Sequence, residues 1–463
     1  MPTARQHATD IVRTLRERGY QAYFNGGCVR DLLLGLEPTD YDVSTDATPQ
    51  QVMGIFPRTW AVGAQFGVVL VPAKPATTED SLRLRSGQAE EHGGRGTAVE
   101  VATFRSDIGY SDGRHPDEVR FTRNPREDVQ RRDFTINGML LDPLLSDSAD
   151  GVLDFVGGRE DLKAGIVRAI GEPKRRFTED KLRMLRAVRF AARLDYKIEP
   201  ATLAAIRQFA PHIRQVSQER VREELTKMLT EGRARRAFLL LDTSRLLREV
   251  LPEISAMKGV EQPPQFHPEG DVFVHTLLLL EKLPAGSPKT LAWGALLHDV
   301  GKPATFRVAP DRIRFDGHVE VGVTMAGEIC RRLRFSNDET EQILALVDNH
   351  MRFAQVRRMS EATLKKFLRL PKFDEHLELH RMDALSSNGI LDAYDYARER
   401  LNSIPPEAIR PQPLVTGDDL IAAGYPPGPR FKEILGAVED AQLEGRVATH
   451  ESAMEMVRRE FRR

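Results

Sequence analysis

The stretch Phe24-Asn25-Gly26-Gly27-Cys28-Val29-Arg30-Asp31, followed by Asp40-Tyr41-Asp42-Val43, decides how this chain is read. Gln21–Phe24 has the composition of a short strand, and Gly26-Gly27 that of the turn ending it. Val29–Leu34 then reads as a helix broken at Gly35. Paired glycines let backbone approach a ligand closely, and the N–H groups at a helix start suit an anion. Arg30 adds a charged grip on phosphate. Beyond Pro38 the pattern returns to strand at Tyr41-Asp42-Val43. Strand side chains alternate faces, so Asp40 and Asp42 are expected to point the same way. Two carboxylates so placed suit Mg²⁺, a hard cation that prefers oxygen ligands and also holds phosphates. A phosphate cradle beside a metal site is the equipment needed to transfer a nucleotide from a triphosphate.

Composition sets the frame. The chain has 463 residues, enough for two to four domains with substantial cores. Its 41% hydrophobic and 29% charged content is that of a soluble globular protein. No run approaches a membrane span, since the apolar stretch near Leu277–Leu280 is short. Ala8, Ile11, Val12 and Leu15 recur at helical spacing, and the charges between them exclude a signal peptide. Cys28 and Cys330 are the only cysteines, which fits a reducing, cytoplasmic setting. The net charge of −1 does not announce a nucleic-acid partner. Local clusters such as Lys174-Arg175-Arg176, Arg331-Arg332 with Arg334, and Arg357-Arg358 permit a basic groove or simply a solvated face.

From about residue 20 to 145 strand-like and helix-like stretches alternate, with Phe66–Pro72 and Thr97–Phe104 reading as strands. Between them Lys74–Gly96 is a polar surface insertion, and Ile108–Pro116 reads as a second loop. From about Leu162 helical periodicity dominates. Glu100, among small apolar residues of a strand, is either a third carboxylate of the site or a solvent-facing residue. Arg131-Arg132-Asp133 precedes a helix start, where Arg132 could meet a triphosphate and Asp133 could cap.

Glu179, Asp180, Arg183 and Arg186 fall at i, i+1, i+4 and i+7, one face of a helix, beside a Leu182, Leu185, Val188 stripe. Such a face is either an amphipathic surface laced by ion pairs or a protein template for a base. In the second reading Asp180 accepts from the exocyclic amino group of cytosine or adenine and Arg183 donates to the adjacent ring acceptor. Arg186 and Arg189 remain for phosphates. Uracil and guanine present the wrong donor and acceptor order.

With Gly26-Gly27…Arg30-Asp31, Asp40-Tyr41-Asp42, Arg132-Asp133 and Glu179-Asp180…Arg183…Arg186…Arg189 in this order, the chain resembles the bacterial class II CCA-adding tRNA nucleotidyltransferases and poly(A) polymerases. The resemblance runs on to the tail segment Leu414–Leu435. It implies Asp40 and Asp42 as Mg²⁺ ligands. It implies Gly27, Arg30, Arg132, Asp180, Arg183, Arg186 and Arg189 as contacts to CTP or ATP, and tRNA as partner with no membrane. The implied fold is α+β: a polymerase-β-like head of mixed sheet and helices at 1–150, then an all-helical neck (151–255), HD body (256–360) and tail (361–463). Ser111-Asp112-Gly113-Arg114 resembles the flexible loop used for A addition. An A-adding enzyme or a poly(A) polymerase would carry nearly the same motifs.

A second constellation lies downstream. His275, His298-Asp299 and Asp348 resemble the ligands of an HD phosphohydrolase domain, which implies a divalent transition metal; His267, His318 and His350 could extend the set. The same domain could serve only as body scaffold. A phosphohydrolase is therefore the alternative of a different class.

Overall fold

A computed structural model of the chain describes residues 3–61, 66–73, 98–108, 118–145, 151–263, 270–310 and 312–461. The Lys74–Gly96 insertion, the Ser111–Arg114 loop and His267 lie outside the described residues. The chain divides into two compact units, residues 1–228 with 236–250 and residues 229–235 with 251–463.

The first unit is built on a mixed six-stranded sheet in the order β3-β4-β2-β1-β7-β8. Its strands are β1 (Ala22–Asn25), β2 (Asp42–Thr45), β3 (Val68–Pro72), β4 (Ala98–Thr103), β7 (Met139–Leu141) and β8 (Val152–Asp154). The β5 (Arg105–Ile108) and β6 (Glu118–Phe121) strands form a separate antiparallel ribbon. Only β2 and β4 run parallel; every other pairing in the main sheet is antiparallel. The helix Ala4–Glu17 buries the expected Ala8, Ile11, Val12 and Leu15, and a Thr3/Gln6 capping box fixes its start. Helices follow the sheet, among them Pro173–Glu179, Arg183–Arg193 and Gln218–Thr230.

The second unit is nearly all helical. Val272–Lys282, Lys289–Leu297, His318–Arg332, Asn337–Asn349 and Phe373–Ser386 surround a core containing the fully buried Trp293. Gly301 is there because nothing larger fits: a Cβ would stand 2.1 Å from the His318 carbonyl oxygen and 2.6 Å from the Gly322 nitrogen. That close approach brings the His298-Asp299 turn against the start of the His318–Arg332 helix. Among the described residues no helix is long and apolar enough to cross a membrane.

Candidate active site

Sheet register assembles the carboxylates. Asp42 opens β2, where it faces Asn25 of β1 in an antiparallel pair and Glu100 of β4 in a parallel one. Asp42 and Glu100 are therefore neighbours across the ladder, and Asp40 lies exposed just outside the strand. All three line one cavity of about 570 Å³. Gly26 turns the chain at the end of β1 with a φ of +70°, where a side chain would be strained. A Cβ there would make only an ordinary contact, 3.5 Å from the Arg132 guanidinium, so the positive φ and not lack of space calls for glycine.

The arginines of this cavity are held, each in a different way. The two oxygens of Asp128 accept separately from Arg131 (2.8 Å) and Arg132 (2.8 Å). Arg132 also donates to Asn25 Oδ1 (2.6 Å) and Ser44 Oγ (3.0 Å). Burial opposes ionisation of Asp128, yet the charges of Arg132 and Arg131 prevail and hold its pKa down at about 2. A depressed carboxylate pKa means stability present above the ordinary value of 3.8 and lost as pH falls through the folded one. Asp128→Asn is thus expected to destabilise the protein by about 2 kcal/mol at pH 7, with the deficit closing between about pH 4 and 2. Urea unfolding of both proteins across that range measures it.

Arg30 is buried, donating to Asp31 (2.8 Å) and to Asn137 Oδ1 (2.8 Å), with its guanidinium 5.3 Å from the Phe190 ring centre. It forms part of the cavity floor.

The expected template face is not one helix. Pro173–Glu179 ends at Asp180, whose backbone is extended (φ −145°, ψ 110°), and a new helix starts at Arg183. The Asp180 carboxylate accepts from the Leu182 N–H (3.0 Å), and this local turn competes with continued helix. Arg220 donates to the same carboxylate at 2.9 Å. Arg183 donates to Glu179 (2.8 Å), the Arg176 carbonyl (3.2 Å) and the Arg131 carbonyl (3.1 Å). Arg186 pairs with Asp133 at 2.7 Å. Burial of Asp133 opposes its charge, but Arg186 and Arg183 overcome this and hold its pKa below the usual range.

In the second unit, imidazoles converge on Asp299. His298 Nε2 lies 3.1 Å from Asp299 Oδ2, and His275 Nε2 lies 3.9 Å from the same oxygen. His318 and His350 face Oδ1 at 3.9 and 3.8 Å. Asp383 Oδ1 stands 3.0 Å from His275 Nε2. Lys302 contacts Asp299 Oδ2 (2.7 Å) and donates to Gln262 (2.6 Å). A second cavity of about 700 Å³ adjoins this cluster and is lined by Lys302, His318, His350, Asp383 and Arg357, with apolar walls including Phe315 and Ile390.

Three family matches follow the chain in order: the poly(A) polymerase head domain over residues 22–168, the probable RNA-binding region of that polymerase over 195–258, and the HD domain over 271–396. The chain spans about half the length of several relatives that it matches at higher identity. One is the CCA-adding enzyme of Limosilactobacillus reuteri, 41% identical over 230 residues covering 50% of each chain. Against the CCA-adding enzyme of Levilactobacillus brevis it is 30% identical over 98% of this chain and 97% of the other. This chain belongs to the CCA-adding enzyme family of nucleotidyltransferases. The solved Bacillus stearothermophilus CCA-adding enzyme in complex with CTP superposes with a TM-score of 0.72 at 27% identity, covering 99% of each chain.

For this member of the CCA-adding family, the head cavity brings together Asp40, Asp42, Glu100, Gly27, Arg30, Arg132, Asp180, Arg183 and Arg186. Arg189 is not among its lining residues: it is buried, paired with Glu224 at 2.7 Å and stacked on Phe190. A role in holding phosphate directly does not fit that position. Sequence reasoning missed Asp128 and Arg220, which hold Arg132 and Asp180. In the HD region His275, His298 and Asp299 meet, whereas Asp348 is exposed and stands outside the cluster. Asp383, with His318 and His350, completes it instead.

Proposed function

We propose that this chain adds C and A to the 3′ end of tRNA from CTP and ATP with release of pyrophosphate, in the cytoplasm. One observation carries the reading: three carboxylates, an arginine pair and a base-sized polar face meet in a single cavity of the first unit. The donors Asp40, Asp42 and Glu100 offer only oxygen. Cys28 also lines the cavity, where burial and then the charge of Asp42 push its thiol up to about 12. This set fits Mg²⁺, with Asp40 and Asp42 as ligands. When bound, the metal supplies positive charge for the triphosphate and for the RNA 3′-hydroxyl that attacks it.

The chain's own residues do the rest. Gly27 and its turn leave room for phosphate beside backbone N–H groups, and Arg132, fixed by Asp128, meets its charge. Arg186 braces the same wall through Asp133. Asp180 accepts from the exocyclic amino group that cytosine and adenine share, and Arg183 donates to the neighbouring ring nitrogen. Glu100 is placed to ligate or to accept the hydroxyl proton.

The test uses the purified chain, Mg²⁺ and tRNA transcripts ending before CCA, after C and after CC, each with CTP, ATP or both. Stepwise C, C, A followed by arrest is the expected outcome. Addition of A only to the CC-ended transcript would make the chain an A-adding enzyme, and long A tails a poly(A) polymerase.

A second reading accompanies the first because of the histidine cluster. We infer that the HD site holds a divalent transition metal and hydrolyses a phosphate ester. Nitrogen and carboxylate donors together suit such an ion, and Lys302 and Arg357 line the adjoining cavity, where a phosphate could sit.

A further inference from the structure

Resting on the reading that the head cavity binds CTP and ATP, we propose that Arg193 forms a subsite for the terminal phosphate of the incoming triphosphate. The resemblance in sequence carries phosphate contacts as far as Arg189 and gives Arg193 no role. Helix geometry places Arg193 in line with the base-reading end. Arg183, Arg186, Phe190 and Arg193 stand at i, i+3, i+7 and i+10 of the Arg183–Arg193 helix, and all four line the cavity. Arg189, at i+6, turns to the flank of that stripe, where it pairs with Glu224 at 2.7 Å.

At the rise of an α-helix the stripe runs about 15 Å, a length that suits an elongated ligand. With the base held by Asp180 and Arg183 at one end, the phosphate chain is carried towards the other. The innermost phosphate is the one attacked, so it must meet the metal at Asp40 and Asp42. The outer phosphates are left to the cationic wall.

Charge singles out Arg193 on that wall. Arg30 takes the Asp31 carboxylate, its Nε and Nη2 standing 2.8 and 2.7 Å from Oδ1. Arg183 pairs with Glu179 at 2.8 Å and Arg186 with Asp133 at 2.7 Å. Arg193 reaches the second Asp31 oxygen only at 3.7 Å, beyond hydrogen-bond length, and 34% of its side chain stays exposed. One carboxylate thus serves two guanidiniums, and this end of the cavity keeps a positive charge in excess. Burial pulls the Arg30 pKa down against the pull of Asp31, and the charges of Arg193 and Arg189 add to the lowering. An anion beside Arg30 and Arg193 relieves that repulsion. A terminal phosphate carries more charge and more free oxygens than the two inner ones, and a planar guanidinium matches it with paired N–H groups. The favourable dipole at a helix C-terminus also accounts for a cation in the last turn, but that role requires no place in the cavity.

Isothermal titration calorimetry of the full chain with CMP, CDP and CTP, in Mg²⁺ and without RNA, tests the subsite. Arg193→Ala is expected to weaken CTP binding by roughly tenfold, the weight of one charge-assisted hydrogen bond, and to leave CMP and CDP unchanged. Arg193→Lys should recover part of the loss, because the charge returns without the planar fork. Arg189→Ala should lower the thermal midpoint and keep the ratio of CTP to CDP affinity. Circular dichroism reports the folding of each variant. CTP affinity unmoved by Arg193→Ala, or lost equally with that of CDP, overturns the terminal-phosphate subsite and leaves nucleotide binding by the cavity standing. A ratio that shifts with Arg189→Ala and not with Arg193→Ala overturns it as well. A wild-type chain that binds none of the three nucleotides overturns the cavity reading together with the subsite.

Discussion

Asp42→Asn is expected to lower incorporation of C and A by at least about 1,000-fold while tRNA binding is retained. Asparagine keeps the size of aspartate and removes its charge, so the hard cation loses a ligand that pairs with it strongly. A 1,000-fold loss corresponds to about 4 kcal/mol, within the several kcal/mol that a metal contributes to phosphoryl transfer. Asp42 holds its place in the sheet through backbone pairing with Asn25 and Glu100, which asparagine preserves. The fold should therefore survive. Single-turnover extension of a CC-ended transcript gives the rate, and filter binding gives tRNA affinity. Glu100→Gln on the same assay separates the two readings of that residue. A comparable loss places Glu100 at the reacting atoms; an unchanged rate leaves it as a charged neighbour. Undiminished incorporation by Asp42→Asn would remove the metal assignment.

What was legible in advance was local. The Gly26-Gly27 turn follows from backbone rules, and the Ala8, Ile11, Val12, Leu15 stripe from helical period, and both appear where expected. The juxtaposition of Asp42 with Glu100 was not legible, because the register of two parallel strands distant in sequence is decided by tertiary packing. Asp128 lies in Arg126-Glu127-Asp128, which reads as solvated surface, and only burial under two arginines gives it a role. The continuous template helix failed at Asp180 because a side chain that can cap the backbone two residues on offers an alternative to the helix. Asp348 failed for another local reason. It sits two residues before His350, and positions two apart on a helix point about 200° from each other. When His350 turns into the core, Asp348 turns to solvent. The contribution of Asp383 comes from a different helix, and spacing alone carries no sign of it.

The second large effect concerns base choice. Asp180→Ala is expected to raise misincorporation of U and G relative to C and A by roughly 10- to 100-fold, the discrimination that one well-made pair of hydrogen bonds to a base supplies. Arg220 touches Asp180 and does not line the cavity. A carboxylate has about four acceptor positions, and Leu182 and Arg220 take two or three of them. What remains can accept from an exocyclic amino group only if the carboxylate is held in one orientation, and Arg220 is the charged group holding it. Arg220→Ala should therefore raise KM for CTP and ATP together by about tenfold and erode discrimination in the same direction as Asp180→Ala, since one charge-assisted hydrogen bond contributes about 1.5–3 kcal/mol. Arg220→Lys should restore part of it, because the charge returns without the planar fork. A merely structural loss would lower kcat for all four nucleotides alike and leave their ratio unmoved. Steady-state measurements with each of CTP, ATP, UTP and GTP separate these outcomes, and an Asp180→Ala enzyme that still rejects UTP and GTP would sink the template assignment, Arg220's part included.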